Sequence, residues 1–408
     1  MSVIARRTRA LGAKALHTHP FEILRSKTHP SAKMIIPTFR SQPAIAALLL
    51  IITLAGCELS NAPEDVPASD LIVANGGNFS DQNGFLSTIA LDDGQVAHGA
   101  DLGGFVQGLV PEGDQVHVLL NTFTEGRVEV FTHTPSGLVR TAQWTGLAAP
   151  RDMAFTADTA WVSNFVFGAP GTVVPVDRAT GARGPAIPVG EAPEGMLIVG
   201  DVLFVANNGS LGAGSSLSRI RLTDRQVTDV ALPCDGPRDL GRRSATSTEL
   251  IVVCTGKTVY NDDFSAVLAQ TPGTVVFLES GAGSATVVQV LDLDVQAGNA
   301  NGSRAIHVSE RTSELFVTLS DGSIQVVDLA TRSLGARVVP EDDPAVTGIA
   351  GVAYNADQDA LYVGRLARSG SGPFPDYTVS GQVHVLGRDG SIRERWTVGP
   401  APTALVLR

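Results

Sequence analysis

One short pattern recurs seven times along the chain, and it constrains the fold more than any other feature. A Gly- or Pro-containing turn, one variable residue and a small residue or Asp lead into an apolar strand. The instances are VQGLV (106–110), PRDMAF (150–155), PEGMLIV (193–199), PRDLG (237–241), SRAIHV (303–308), IAGVAY (349–354) and PTALVL (402–407). The residues after the turn are Gln107, Arg151, Glu194, Arg238, Arg304, Ala350 and Thr403, spaced by 44, 43, 44, 66, 46 and 53 residues. A fixed period of this length marks supersecondary units that cannot bury their apolar faces alone and must pack against one another.

Each period carries three further strands. The second is a continuous apolar run, as in LIVAN (71–75), AWVSN (160–164), LFVAN (203–207) and LIVVC (250–254). The third alternates, as in RVEVFT (127–132), LSRIRL (217–222) and QVHVLG (382–387), and a turn such as RATG (178–181) or RDGS (388–391) leads to a fourth. Period-two alternation bounded by Gly, Asp and Asn is the signature of strands and hairpins. With 43 Gly and 23 Pro the chain is rich in turn residues, and almost nothing after residue 57 reads as helix. Four antiparallel strands per unit, seven times, predicts an all-β fold, a seven-bladed β-propeller of four-stranded blades over residues 70–408. A solenoid would need capping repeats, and none is evident. The chain opens at Asp70 with a second-type strand and ends with an isolated first-type strand, PTALVLR. The C-terminal strand is therefore expected to join the N-terminal blade and close the ring, leaving no open gap and limiting exposed edges.

The strands Leu71-Ile72-Val73-Ala74-Asn75, Leu203-Phe204-Val205-Ala206-Asn207 and Ile324-Gln325-Val326-Val327-Asp328-Leu329-Ala330-Thr331 resemble those of YVTN-repeat (YncE-like) seven-bladed propellers. That resemblance implies a bacterial surface or periplasmic setting. It specifies architecture well and function poorly. Two insertions, near 255–272 and 366–380, and the loss of the strand-terminal Asn in blades 5 to 7 depart from the pattern.

The N-terminal region has a different character. Residues 1–56 hold eight Lys and Arg against one acid, while the rest holds 22 against 40, a balance of −18. The run AIAALLLIITLAG (44–56) is 13 residues long, too short to span a bilayer but of signal-peptide length. It ends in Leu54-Ala55-Gly56-Cys57, which resembles a bacterial lipobox. That resemblance implies cleavage before Cys57 and lipidation of it. Residues 34–56 are expected to be the lipoprotein signal peptide, with translation starting at Met34 and residues 1–33 an upstream mis-start or dispensable leader. Residues 57–69 read as a lipidated, Pro-containing tether. The expected address is the cell envelope, exported and lipid-anchored. Glu58 after the Cys points to the outer membrane by enterobacterial sorting rules.

Cys234 and Cys254 then remain, and in an oxidising compartment they are expected to form a disulfide. Two Cys with no nearby His do not supply a zinc site. The His residues His98, His117, His133, His307 and His384 are scattered, in no hydrolase motif. No catalytic residue and no cofactor is expected.

First strands line a propeller's channel, so Gln107, Arg151, Glu194, Arg238 and Arg304, with Asp152 and Asp239 beside them, are expected to ring one mouth. They either bind an anionic or zwitterionic ligand through Arg or pair with each other and tie the blades together. The insertions are the second candidate, since long loops on a rigid scaffold often carry function. They hold Tyr260, Phe264, Phe374 and Tyr377 beside acids, a composition suited to a partner protein or glycan. Asp262-Asp263 is a weak calcium candidate, two carboxylates where 6–8 oxygens are needed. The acidic domain excludes nucleic acid as a partner, because phosphate binding needs clustered cations. Membrane contact is expected through the lipid, and a monomer is favoured. The expected function is a non-enzymatic binding scaffold for a protein or envelope component. The alternative is a lactonase-like or metal-dependent hydrolase acting at the channel.

Overall fold

The computed structural model of the protein describes residues 68–408 apart from 167, 168, 282, 300, 301, 371 and 373. The segments expected to be leader and signal peptide, Cys57 and most of the expected tether lie outside the described residues. The described chain forms seven antiparallel blades of four strands in inner-to-outer order, with a short extra strand, Pro375–Asp376, paired to the second strand of blade 7, a separate two-stranded hairpin in the blade 5 insertion, and one short 3-10 turn at Ser210–Gly212. The inner strands of blades 2 to 7 are Phe105–Glu112, Pro150–Phe155, Pro193–Val199, Pro237–Arg242, Ile306–Ser309 and Val346–Asn355. Blade 1 takes its inner strand, Pro402–Leu407, from the C-terminus and its other three, Asp70–Asn75, Phe85–Ala90 and Val96–His98, from the start of the domain.

Why the second strands read as unbroken apolar runs follows from where their side chains go. Successive residues of a strand point to opposite faces, and here both faces are covered by neighbouring blades. Leu71 and Val73 pack toward blade 7, whereas Ile72 and Ala74 pack toward blade 2. Phe204 and Ala206 face blade 5, and Leu203 and Val205 face blade 3. The main apolar clusters are seven, and each lies between a different pair of successive blades: 1/2, 2/3, 3/4, 4/5, 5/6, 6/7 and 7/1. An open row of seven blades would have six such interfaces, so the 7/1 cluster, which includes Leu405, Tyr362 and Trp396, is the packing signature of closure. The ladder agrees: Leu71, Ile72, Val73 and Ala74 pair with Leu407, Val406, Leu405 and Ala404. Arg408 adds to it, donating from its guanidinium to the carbonyls of Gly113 and Gln115, each at 2.8 Å.

Glycine is required where a third strand begins against the next blade. A Cβ on Gly126 would sit 2.2 Å from Pro150, and one on Gly171 would sit 2.2 Å from Pro193 Cδ, so the Pro that opens each following inner strand excludes any side chain there.

Two strand limits differ from the sequence reading. In blade 7 the second strand runs Ala360–Arg368, so Leu366, Ala367 and Arg368 are strand, and the insertion begins at Ser369. Arg365 interrupts the apolar run, but it is buried and its Nε donates to the Gly348 carbonyl at 2.7 Å. In blade 6 the inner strand starts at Ile306, leaving Ser303 and Arg304 in the approach to it.

Candidate functional site

The register places the site. The first residue of an inner strand lies opposite the last residue of the second strand: Phe105 opposite Asn121, Pro150 opposite Asn164, Pro193 opposite Asn207, Pro237 opposite Cys254. The turns into the inner strands and the loops between second and third strands therefore share one face of the ring, called the mouth here. Both insertions follow second strands, so both stand on the mouth.

A cavity of about 450 Å³ runs along the axis and takes residues from all seven inner strands or the turns leading into them. Gln107, Arg151, Asp152, Glu194, Arg238, Asp239 and Arg304 all line it. Their partners show what they do there. Asp152 accepts the Met153 amide on Oδ1 and the Met196 amide of blade 4 on Oδ2, both at 2.8 Å. Asp239 accepts the Ala305 amide of blade 6 at 3.1 Å. Arg304 reaches back to the Leu240 carbonyl at 2.9 Å and across the axis to Asp152 at 3.7 Å. Arg238 donates to the Ser303 carbonyl, and Gln107 donates across the ring to Gly302 at 3.4 Å. Arg151 Nε pairs with Glu194 at 3.3 Å and lies over the Phe165 ring. The ring of charges thus ties non-adjacent and adjacent blades together.

Burial pushes the Asp152 carboxyl up to about 6, against the opposing pull of Arg304 and the two amides. His307 lines the same cavity and is pushed down to about 4 by burial and then by the Arg304 charge. His117 and His384 are fully buried inside the blades, with the same downward direction to about 4 from desolvation.

Above the axial cavity a second, wider one of about 640 Å³ opens at the mouth. Arg151, Glu194 and Arg238 form the boundary between the two, and Tyr260 and Thr258 of the blade 5 insertion stand in its wall. The insertion is a hairpin, Thr258–Tyr260 paired with Val267–Gln270. Gln296, on the approach to blade 6, pins it by donating to Thr258 Oγ1 at 3.0 Å and accepting from Gln270 at 2.9 Å. At its tip Phe264 is exposed and packs near Tyr260, with ring centres 5.7 Å apart. Asp263 is occupied by its own turn, accepting the Ser265 amide and hydroxyl. Among the described residues no group of three or more His, Cys, Asp or Glu side chains is placed to hold a metal ion.

Of the loop aromatics, Phe264 and Phe374 project from the surface, while Tyr260 and Tyr377 are half-buried. Tyr377 packs on Ala350, Leu366 and Ala401. Cys234 and Cys254 form the expected disulfide, joining the turn into the blade 5 inner strand to the end of its second strand. The strand-terminal Asn residues are less uniform than expected. Asn164 accepts two turn amides, from Ala148 and Ala149, but Asn75 and Asn207 donate instead to third-strand hydroxyls, Ser87 and Ser218.

The sequence reading missed two features. Ser303 and Thr403 form a knot near the axis: the Ser303 hydroxyl lies 3.0 Å from the Ala350 carbonyl and 2.8 Å from that of Thr403, whose own hydroxyl donates to Ala74 at 3.1 Å. Phe79 and Phe123, both exposed, add to the aromatics of the mouth. Every strongly exposed Phe among the described residues, Phe79, Phe123, Phe264 and Phe374, lies in a loop between a second and a third strand.

No family model matches the chain, and no curated protein does. Solved structures do, at low identity. A candidate 6-phosphogluconolactonase from Bacteroides fragilis superposes with a TM-score of 0.56 at 16% identity, over 83% of this chain and 98% of that one. A protein of unknown function from Desulfotomaculum acetoxidans gives 0.58 at 12%, over 83% and 99%. The dihydro-heme d1 dehydrogenase NirN, in complex with DHE, gives 0.50 at 14%, over 84% and 75%. At such identities the likeness is one of fold, and the fold is that of a closed, seven-bladed β-propeller.

Proposed function

We propose that the protein is a lipid-anchored propeller of the bacterial cell envelope that acts as a non-enzymatic binding scaffold, recognising an envelope component with its mouth face. The observation that carries this reading is the segregation of exposed Phe to the loops of that one face, where both insertions also stand. Exposed aromatic groups on a rigid frame are the usual anchors of recognition. The lipobox-like Leu54-Ala55-Gly56-Cys57 and the likeness of the strands to YVTN-repeat propellers support the address. The acidic domain supports anchorage through lipid rather than through basic contacts with anionic headgroups.

The hydrolase alternative rests on the channel, where Asp152 near 6 and His307 lie in one cavity and where one fold neighbour is named for lactonase activity. Against it, both Asp152 oxygens already accept backbone amides, so the carboxylate serves the joint between blades 3 and 4.

Photo-crosslinking amino acids placed at Phe264 and Phe374, and at Asp224 in a turn of the opposite face, test the reading in intact cells. Crosslinked adducts from the first two positions alone are expected. Equal labelling from Asp224, or none from any position, overturns it. Labelled palmitate should enter the wild-type chain and not C57S, and an unlabelled wild type refutes the anchor.

A further inference from the structure

The mouth carries a third cavity, of about 510 Å³, between the blade 1 loop that follows Asn75 and the blade 7 insertion. It lies apart from the channel and shares no lining residue with it. Three aromatic rings, Phe79, Phe105 and Tyr377, form its apolar part in a chain that is only 5% aromatic. Phe79 is half exposed, and its orientation is set by edge-to-face contacts with Phe105 at 6.2 Å and Phe123 at 5.3 Å. The polar part is Asn78, Ser369, Asp376 and Thr378. Asp376 uses Oδ1 to accept the Thr378 amide and hydroxyl, at 2.9 and 2.6 Å, and Oδ2 makes no bond within the described residues. Asn78 uses Oδ1 on the Ser80 amide, at 2.9 Å, which fixes the side chain and leaves its amide protons for another acceptor.

We propose that this cleft, between the loops of blades 1 and 7, binds a neutral glycan, a hexose or N-acetylhexosamine unit laid against Phe79. The inference rests on the mouth-face reading and names the ligand class for one part of that face. A pyranose has an apolar C–H face and a rim of hydroxyls that both donate and accept. A fixed flat ring beside one oriented carboxylate oxygen and one oriented amide complements that pattern. The cleft is concave and of small-ligand size, whereas a stable protein partner would need about 800 Å² of matched surface on each side. The carboxylate of Asp376 and the −18 balance of the chain after residue 56 select against polyanionic glycans.

The test is saturation-transfer NMR on the full-length protein with chitotetraose, cellotetraose and maltotetraose in turn, followed by titration of any binder. At least one should show saturation of its ring C–H protons. Phe79→Leu, which keeps an apolar side chain but removes the flat ring, and Asp376→Asn, which keeps the Oδ1 acceptor, should each weaken it at least tenfold. Asp224→Ala, in a turn of the opposite face, should leave it unchanged. Unaltered melting of the variants separates lost binding from lost fold. No transfer to any of the three at millimolar concentration overturns the proposal, as does binding that survives Phe79→Leu or disappears with Asp224→Ala. If mouth-face crosslinks to a protein persist while no sugar binds, the cleft proposal falls and the reading of the face stands. If neither is seen, both fall.

Discussion

Leu405→Ala tests closure of the ring at the level of a single side chain. Leu405 sits on the C-terminal strand, 8% exposed, in the cluster that blade 7 shares with blade 1. Its truncation removes three buried carbons and leaves a cavity, a change that costs about 2–5 kcal/mol in well-packed cores. In an open row of blades that loss would fray the terminal unit. In a closed ring it weakens one of seven equivalent joints, and the whole ring unfolds earlier. The chain's three Trp residues report on this: Trp396 lies in the 7/1 cluster, and Trp161 lies across the ring in the 3/4 cluster. Urea unfolding of single-Trp variants, followed by fluorescence, should show L405A lowering the midpoint equally at both reporters with unchanged slope. A shift at Trp396 with Trp161 unmoved would refute the argument from closure.

Other outcomes follow from the same contacts. C234S/C254S removes a crosslink spanning 20 residues and should cost about 3 kcal/mol in the chain-entropy account, while thiol titration of the native unreduced protein should find no free thiol from this pair. Stability should fall as pH drops from 6.5 to about 4. His117 and His384 are held neutral, with pKa values lowered from 6.5 to about 4, so the unfolded chain takes up protons first. Each shift corresponds to about 3 kcal/mol, lost progressively through that window and fully present above it. Asp152, raised to about 6, acts in the opposite sense between 6 and 3.8, while His307, lowered to about 4, acts with the other two histidines and offsets it, so H117Q/H384Q should flatten the profile; an unchanged urea midpoint in wild type between pH 7 and 4.5 would contradict this. Asp239→Ala strips the acceptor from the buried Ala305 amide and should cost about 1–3 kcal/mol, with Asp239→Asn recovering part of it in thermal melts.

The architecture was legible because a propeller repeats its chemistry. Turn residues, apolar second strands and the displaced final strand each carry the period, and the ring closes where the C-terminal PTALVLR predicts. Positions on the channel wall were legible for the same reason. Their partners were not: Asp152 binding Met196, or Arg304 reaching Leu240 and Asp152, depends on which blades face each other across the axis. Arg365 hid the continuation of its strand, since a cation inside an apolar run reads as an end unless its buried acceptor is known. Half of the aromatic mouth, Phe264 and Phe374, was legible from the insertions that carry it, while Phe79 and Phe123 sit in loops of ordinary length that give no such signal. Phe79 and Phe374 stand almost 300 residues apart in sequence and belong to one face only once the ring has joined blade 7 to blade 1.

The claim that this face is the recognition surface is tested most directly by exchanging the four exposed Phe among its described residues, Phe79, Phe123, Phe264 and Phe374, for Ser and measuring capture of envelope components from solubilised membranes. Because all four are exposed, the variant should melt with the wild type. The account predicts that capture falls to the level of a bead control, while substitutions of equal number in the turns of the opposite face leave it intact. Full capture by the four-Ser variant, or equal loss from the opposite face, would contradict it.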